Sequence, residues 1–208
     1  MNFYDVTLTI SDTLVTWPAD PAVSIRKTGM ISQGNSCNVS ELTFGSHCGT
    51  HIDAPYHFEE DGIKVDQIPL DLLMGNATVF EIKNKEKIDL SDLKSLKLIN
   101  CKKVIFKTIN STYWKSFGFK KDFVYITREA ARYLVDCDVK LVGIDYLSIE
   151  RFGNKAAETH HTFLKNGVII IEGLDLSNVN AGNYELIALP LKIKDGDGSP
   201  ARVILKSV

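Results

Sequence analysis

The sequence predicts an α/β domain, with α+β as the other class its elements permit, spanning residues 1–208 with a mixed sheet and few helices. Three observations predict it. Short runs rich in β-branched and aromatic residues alternate with only three helical patterns. Two runs, Val142–Asp145 and Val168–Glu172, do not alternate polar with apolar, so both faces of each strand are buried and layers must lie above and below. No repeat, low-complexity tract or long linker divides the chain, and 208 residues with 44% hydrophobic content suit one core.

Strands are expected, in order, over Phe3–Ile10, Val23–Thr28, Asn38–Phe44, Ala77–Ile82, Val104–Lys107, Lys140–Ile144, Val168–Ile171, Tyr184–Ile193 and Arg202–Leu205. Helices are expected over Ser91–Leu96, over Thr127–Val135, where Thr127 can cap the first turn, and over Ala156–Leu164, which stops shortly before Asn166-Gly167 as helix C-termini do.

Composition excludes several functions. The 24 basic and 26 acidic residues give a formal charge of −2 and are scattered, which leaves no electrostatic footprint for nucleic acid. The start Met-Asn-Phe-Tyr-Asp lacks a basic region followed by an apolar run, and eighteen apolar residues never occur together, so no membrane partner and a cytoplasmic location are expected. Cys37, Cys48, Cys101 and Cys137 show neither close pairing nor two-residue spacing, which reads as reduced thiols.

The five histidines fall in two clusters: His47, His51 and His57 in HCGTHIDAPYH, and the pair His160–His161 ahead of Glu172. Imidazole and carboxylate hold zinc and its divalent neighbours, and two remote segments can wrap an ion where the fold joins them. His47, Gly49, His51, Asp53, Pro55 and His57 are all odd-numbered, so an extended backbone presents them on one face and turns Cys48, Ile52, Ala54 and Tyr56 the other way. Full extension fails, however: at ~3.3 Å per residue His47 and Asp53 would stand roughly 20 Å apart. The chain must bend, and Gly49 is the residue that can. His47, His51 and Asp53 are thus read as metal ligands, whereas His57 is open to three roles: ligand, outer hydrogen-bond donor or proton carrier. Glu172, ending an apolar run, is either solvated at a strand end or buried and neutralised by a cation. Asp145 has the same ambiguity and reads as a structural hydrogen-bond acceptor. Cys48, turned from the ligand face, is a poor nucleophile.

HCGTHIDAPYHF resembles the HxGTHxDxPxH signature of the cyclase family of metal-dependent hydrolases, which includes bacterial kynurenine formamidase and isatin hydrolase. Trp17-Pro-Ala-Asp-Pro21 resembles the family's WPGDP, Gly143-Ile-Asp145-Tyr-Leu-Ser148 resembles GxDxxS, His160 to Glu172 resembles HxxxL…EGL, and Leu189 to Arg202 resembles the closing segment. The resemblance implies a swivelling β/β/α fold assembled as homodimers or larger oligomers. It implies that His47, His51 and Asp53 ligate one ion, that Asp53 and Glu172 bridge to a second ion bound also by His160, that His57 moves protons and that Trp17 lines the substrate pocket. His160 is preferred to His161 because its twelve-residue interval to Glu172 resembles the family's, and adjacent helical residues, about 100° apart, cannot face one ion. The expected activity is hydrolysis of a small-molecule amide by metal-activated water, with two divalent ions per subunit, zinc first and manganese second. The alternatives are a cyclic amide or lactone hydrolase and a non-catalytic, metal-stabilised binding protein. Kynurenine formamidases proper tend to carry alanine where Thr50 stands and PGDTP where Pro18-Ala19-Asp20-Pro21 stands, so the substrate is left open.

Overall fold

In the computed structural model, which describes residues 1–116 and 118–208, twelve strands and four α-helices follow one another. In chain order these are β1 (Phe3–Asp5), β2 (Ser24–Gly29), β3 (Val39–Thr43), β4 (His51–Asp53), α1 (Leu70–Leu73), β5 (Met74–Glu81), β6 (Lys87–Ile88), α2 (Leu90–Lys94), β7 (Lys103–Lys107), β8 (Tyr125–Ile126), α3 (Arg128–Asp136), β9 (Leu141–Ile144), α4 (Glu158–Leu164), β10 (Ile169–Glu172), β11 (Gly182–Pro190) and β12 (Gly198–Ser207). Eight of the strands form one mixed sheet in the order β1-β12-β11-β5-β7-β9-β10-β4, and β4 also pairs with the start of β12. That last pairing closes the sheet into a barrel and leaves β1 on the outer edge of β12. The run β5-β7-β9-β10 is parallel, and the remaining pairs are antiparallel.

The apolar runs behave as their lack of alternation requires, because successive side chains enter different cores. Ile105, Leu141, Ile169 and Ile171 join Val79, Leu186, Ala188, Val203 and Leu205 inside the barrel. Val104, Phe106, Val142, Ile144 and Ile170 point outward against Ala130, Ala131 and Leu134 of α3 and Phe163 and Leu164 of α4. α3 and α4 therefore cover the parallel arc, with α4 directly beside β10, whereas α1 packs against β5 and β11.

Local chemistry sets the boundaries. Thr127 Oγ1 accepts the Ala130 N–H at 3.3 Å and starts α3, and Asp89 accepts from Ser91 and Asp92 at the start of α2. The expected strand over Phe3–Ile10 leaves the sheet after Asp5, because the Thr7 side chain takes over the pairing: its hydroxyl accepts the Val203 N–H at 2.8 Å and donates to the Val203 carbonyl at 3.2 Å. The strand expected to reach Ile193 ends at Pro190, after which the Leu191 N–H turns to Ser199 Oγ. The helix expected from Ala156 begins at Glu158, since Ala157 is held at φ 44°. The short β4, β6, β8 and α1 carry too few residues for a period to be read.

Gly173, directly after β10, has φ +70°, and a Cβ there would overlap the carbonyl of Gly49. Gly167 shares the left-handed backbone at φ +68° but faces open space. Gly167→Ala is expected to lose only about 1–2 kcal/mol for its backbone, and Gly173→Ala a further ~1–3 kcal/mol for the forced separation of the two segments; urea denaturation of both variants measures the gap.

Candidate metal centre

The register of β4 builds the site. Ile52 and Ala54 enter the barrel core, so His51 and Asp53 must face outward. On β10, Ile171 points inward and Glu172 outward, and antiparallel pairing sets Glu172 directly across from His51. His51 Nε2 lies 3.3 Å from Asp53 Oδ1 and 3.4 Å from Glu172 Oε2. The bend ahead of β4 falls at Gly49, with φ +62°, and Thr50 Oγ1 donates to the Gly173 carbonyl beneath it. The turn brings His47 back over Asp53, with Nδ1 at 2.8 Å from Oδ1. Gly198 makes room for that ring, since a Cβ there would lie 2.6 Å from His47 Cε1. Pro55 opens the 3-10 turn Pro55–His57, which stacks His57 on His47 with ring centroids 3.8 Å apart. From α4, His160 Nε2 reaches to 3.3 Å from Glu172 Oε1 and 3.7 Å from Asp53 Oδ2.

Asp53 and Glu172 are both fully enclosed, and two carboxylates in a low dielectric demand compensating positive charge. The neighbouring histidines offer it by taking up protons. Burial opposes charge on His47, but attraction to Asp53 and hydrogen bonds to Asp197 and Asp53 lift its pKa to about 9. For His51, burial is likewise outweighed by Asp53 and Glu172, to about 10. For His160 it is outweighed by Glu150 and Glu172, to about 10. Burial also works against ionisation of Asp53 and Glu172, yet the histidines hold both carboxyls below their ordinary values. His57 goes the other way. Burial, with repulsion from His47 and His160, outweighs the attraction of Asp53 and brings it to about 4, so it is neutral at pH 7.

These donors fit a divalent cation. Asp53 Oδ2 is buried without a hydrogen-bond partner, an arrangement a cation relieves. His51 donates Nδ1–H to the Gly49 carbonyl at 2.9 Å, which aims Nε2 at the carboxylates. Donor atoms of His47, Asp53 and His57 lie within 4.8 Å of one another, and so do those of His51, Asp53 and Glu172. The two groups share Asp53. Geometry groups His57 with His47, and His51 with Glu172, while His47 and His51 both approach Asp53 Oδ1.

The cluster floors a cleft of about 400 Å³ whose walls include Trp17, Asp20, Phe58, Leu147, Ser148 and Arg151. Trp17 stands edge-on to Phe119 at 5.1 Å and tilted against Phe152 at 5.4 Å. His161 points away, to Glu59 Oε1 at 2.6 Å. Asp145 is buried and accepts from the backbone and hydroxyl groups of Thr108 and Ser111, at 2.7 to 3.1 Å. Cys48 is buried, and burial followed by repulsion from Asp20 raises its thiol to about 11, far from a nucleophile's range. Sequence reasoning passed over Asp197, which lies 2.8 Å from His47 Nε2 and 3.8 Å from His57 Nδ1, and over Glu150, buried beside His160. The signals were there in the acid between two glycines in Gly196-Asp197-Gly198 and in the acid closing Tyr-Leu-Ser-Ile-Glu150.

Comparison with known proteins places the chain in a family. The Cyclase family model matches residues 4–151. A kynurenine formamidase of Bacillus cereus is 33% identical over 207 residues, covering 100% of this chain and 98% of its own length. A solved structure described as a potential metal-dependent hydrolase with cyclase activity has 37% identity and a TM-score of 0.85, covering 98% of this chain and 96% of that one. Isatin hydrolase A from Ralstonia solanacearum, at 21% identity, shares the fold with a TM-score of 0.85 over 98% of this chain and 91% of its own. By sequence along its whole length, and with the histidines and carboxylates of the family signature gathered at one cleft, the chain belongs to the Cyclase family.

Proposed function

We propose that this protein is a metal-dependent hydrolase that cleaves a carbon–nitrogen bond other than a peptide bond in a small molecule, an arylformamidase-like activity of the kind the kynurenine formamidase relatives are named for. One observation carries the reading: His51, Asp53 and Glu172, from remote segments, meet at the floor of an open cleft with a buried carboxylate oxygen left unpartnered. His47, His51, Asp53, His160 and Glu172 would hold two divalent ions between them, with Asp53 common to both donor groups. Imidazole and carboxylate together suit zinc, with manganese as the alternative. When bound, such ions supply Lewis acidity that polarises a carbonyl and acidifies water.

The chain's own residues do the rest. Asp53 and Glu172 concentrate negative charge where cations would sit. His57 is neutral at pH 7, and because its Nδ1 lies toward Asp197, Nε2 is the nitrogen left to take a proton from the attacking water and return it to the leaving nitrogen. Trp17, backed by Phe119 and Phe152, offers an aromatic wall for an aryl substituent. Among the described residues no helix is long and apolar enough to cross a membrane, a cytoplasmic location is taken as the working reading, and the family resemblance supports a homodimer or larger homo-oligomer.

Elemental analysis joined to a hydrolysis screen over formamides, cyclic amides and lactones tests the reading. Bound zinc or manganese with formamide turnover supports it, whereas a metal-free protein that stays inert when reloaded ends it. His57→Ala is expected to keep its metal content and lose turnover by about 100-fold or more; retained turnover removes the proton-carrier role, and lost metal makes His57 a ligand.

Metal binding must displace the protons that His47, His51 and His160 carry. Their raised values contribute stability to the metal-free protein that is complete below pH 6.5 and fades as pH rises through about 9 to 10. The lowered Asp53 and Glu172 contribute stability present above the ordinary carboxylate range and lost on acidification. Zinc is therefore expected to release protons on binding and to raise the melting temperature more at pH 8 than at pH 6. Calorimetric titration in buffers of different ionisation enthalpy and melting curves at both pH values provide the check. Chelation is expected to abolish turnover while the far-ultraviolet dichroism stays native.

A further inference from the structure

Glu150 has no role in the chemistry described so far, yet it is a buried acid beside His160 in the lining of the same cleft. Its carboxylate is held from three sides. Oε1 accepts from Asn154 Nδ2 at 3.0 Å and from the Arg151 N–H at 3.3 Å, and Oε2 accepts from the Thr159 N–H at 2.8 Å. The Thr159 bond satisfies one of the free donors in the first turn of α4, where Ala157 offers no side-chain cap. The same Oε2 lies 3.7 Å from His160 Nδ1, and that buried nitrogen has no hydrogen-bond partner. On the ring's face Phe58 stacks against His160 with centroids 4.6 Å apart. The other nitrogen, Nε2, faces Glu172 and Asp53.

We propose that Glu150 is a positioning residue for His160: its clamped carboxylate keeps the proton on Nδ1, and so turns the Nε2 lone pair to the cation held with Asp53 and Glu172. The distance of 3.7 Å exceeds a hydrogen bond, but it is the approach of a fixed negative charge to an N–H that has nowhere else to go. Histidines that bind metals commonly carry such an outer partner, and His51 has its own in the Gly49 carbonyl. A carboxylate does for His160 what a backbone carbonyl does for His51, and its charge also offsets the dication beyond the ring. The inference rests on the metal-dependent reading of the site.

Capping α4 is the competing explanation for the same acid, and zinc affinity separates the two. Competition against a chromophoric chelator is measured for the wild type, Glu150→Gln, His160→Ala and the double variant, with dichroism melts to report folding. Glu150→Gln is expected to weaken zinc binding about 10- to 100-fold in the wild-type background and to have no further effect once His160 is alanine. An equal loss in both backgrounds, or no loss in either, overturns the assignment and leaves Glu150 as a helix cap. Should Glu150→Gln fail to fold, Asn154→Ala loosens the carboxylate without removing its charge; a smaller loss of affinity that vanishes in the His160→Ala background supports the assignment, and an unchanged affinity overturns it. A wild-type protein that binds neither zinc nor manganese is a different result: it removes the metal-dependent reading and this assignment with it.

Discussion

The pairing of β4 between β10 and β12 is the constraint on which the site depends. Those short ladders, Ile170 to Glu172 against His51 to Asp53 and Gly198 to Pro200 along the other edge, complete the barrel and set the buried Asp53 and Glu172 beside one another. A slip of one residue would send His51 and Asp53 into the apolar core and bring Ile52 to the cleft. The core therefore enforces the register that the chemistry needs, since Ile52, Ala54 and Ile171 find apolar neighbours only in this alignment. Stability of the fold and geometry of the donors are one requirement met twice.

That alignment creates an electrostatic problem that the same residues solve. Two enclosed carboxylates repel, and burial alone would favour their neutral forms. Three histidines, each reaching one or both acids, are drawn toward the protonated form by them and would become neutral donors where a cation takes the protons' place. His57 stands apart because it stacks on His47 and meets the acids only at a distance, so repulsion from protonated neighbours is added to its burial. Two opposite protonation habits thus arise among four histidines within one cleft, and the neutral one is suited to proton transfer.

Much of this was legible in the chain. The odd-numbered ligand face, the bend at Gly49 and the double burial of the runs ending at Asp145 and Glu172 all follow from strand geometry and steric freedom, which act locally. The unread features are those decided by tertiary contact. Whether Glu172 was solvated or enclosed depended on α4 and β4 covering it. Glu150 and Asp197 looked like ordinary acids at the ends of short segments, and only their approach to His160 and His47 gives them a place in the site. Thr7 replacing a strand's backbone pairing with its own hydroxyl is invisible to periodicity for the same reason. The grouping of His57 with His47, and of His51 with Glu172, is a matter of a few ångströms that spacing along the chain cannot resolve.

The relation between ion and fold also distinguishes this centre from a structural metal site. Small metal-dependent folds collapse without the ion because the ion stands in for a core they lack. Here the ligands are mounted on a barrel whose strands close upon themselves, and two apolar clusters, one inside the barrel and one beneath α3 and α4, are complete without any cation. The histidines can take up protons against the buried acids, so removing an ion is expected to exchange one set of positive charges for another and to leave the backbone pairing in place. An ion bound at the floor of an open cleft, beside a histidine that burial keeps neutral, would be positioned for chemistry on what enters the cleft.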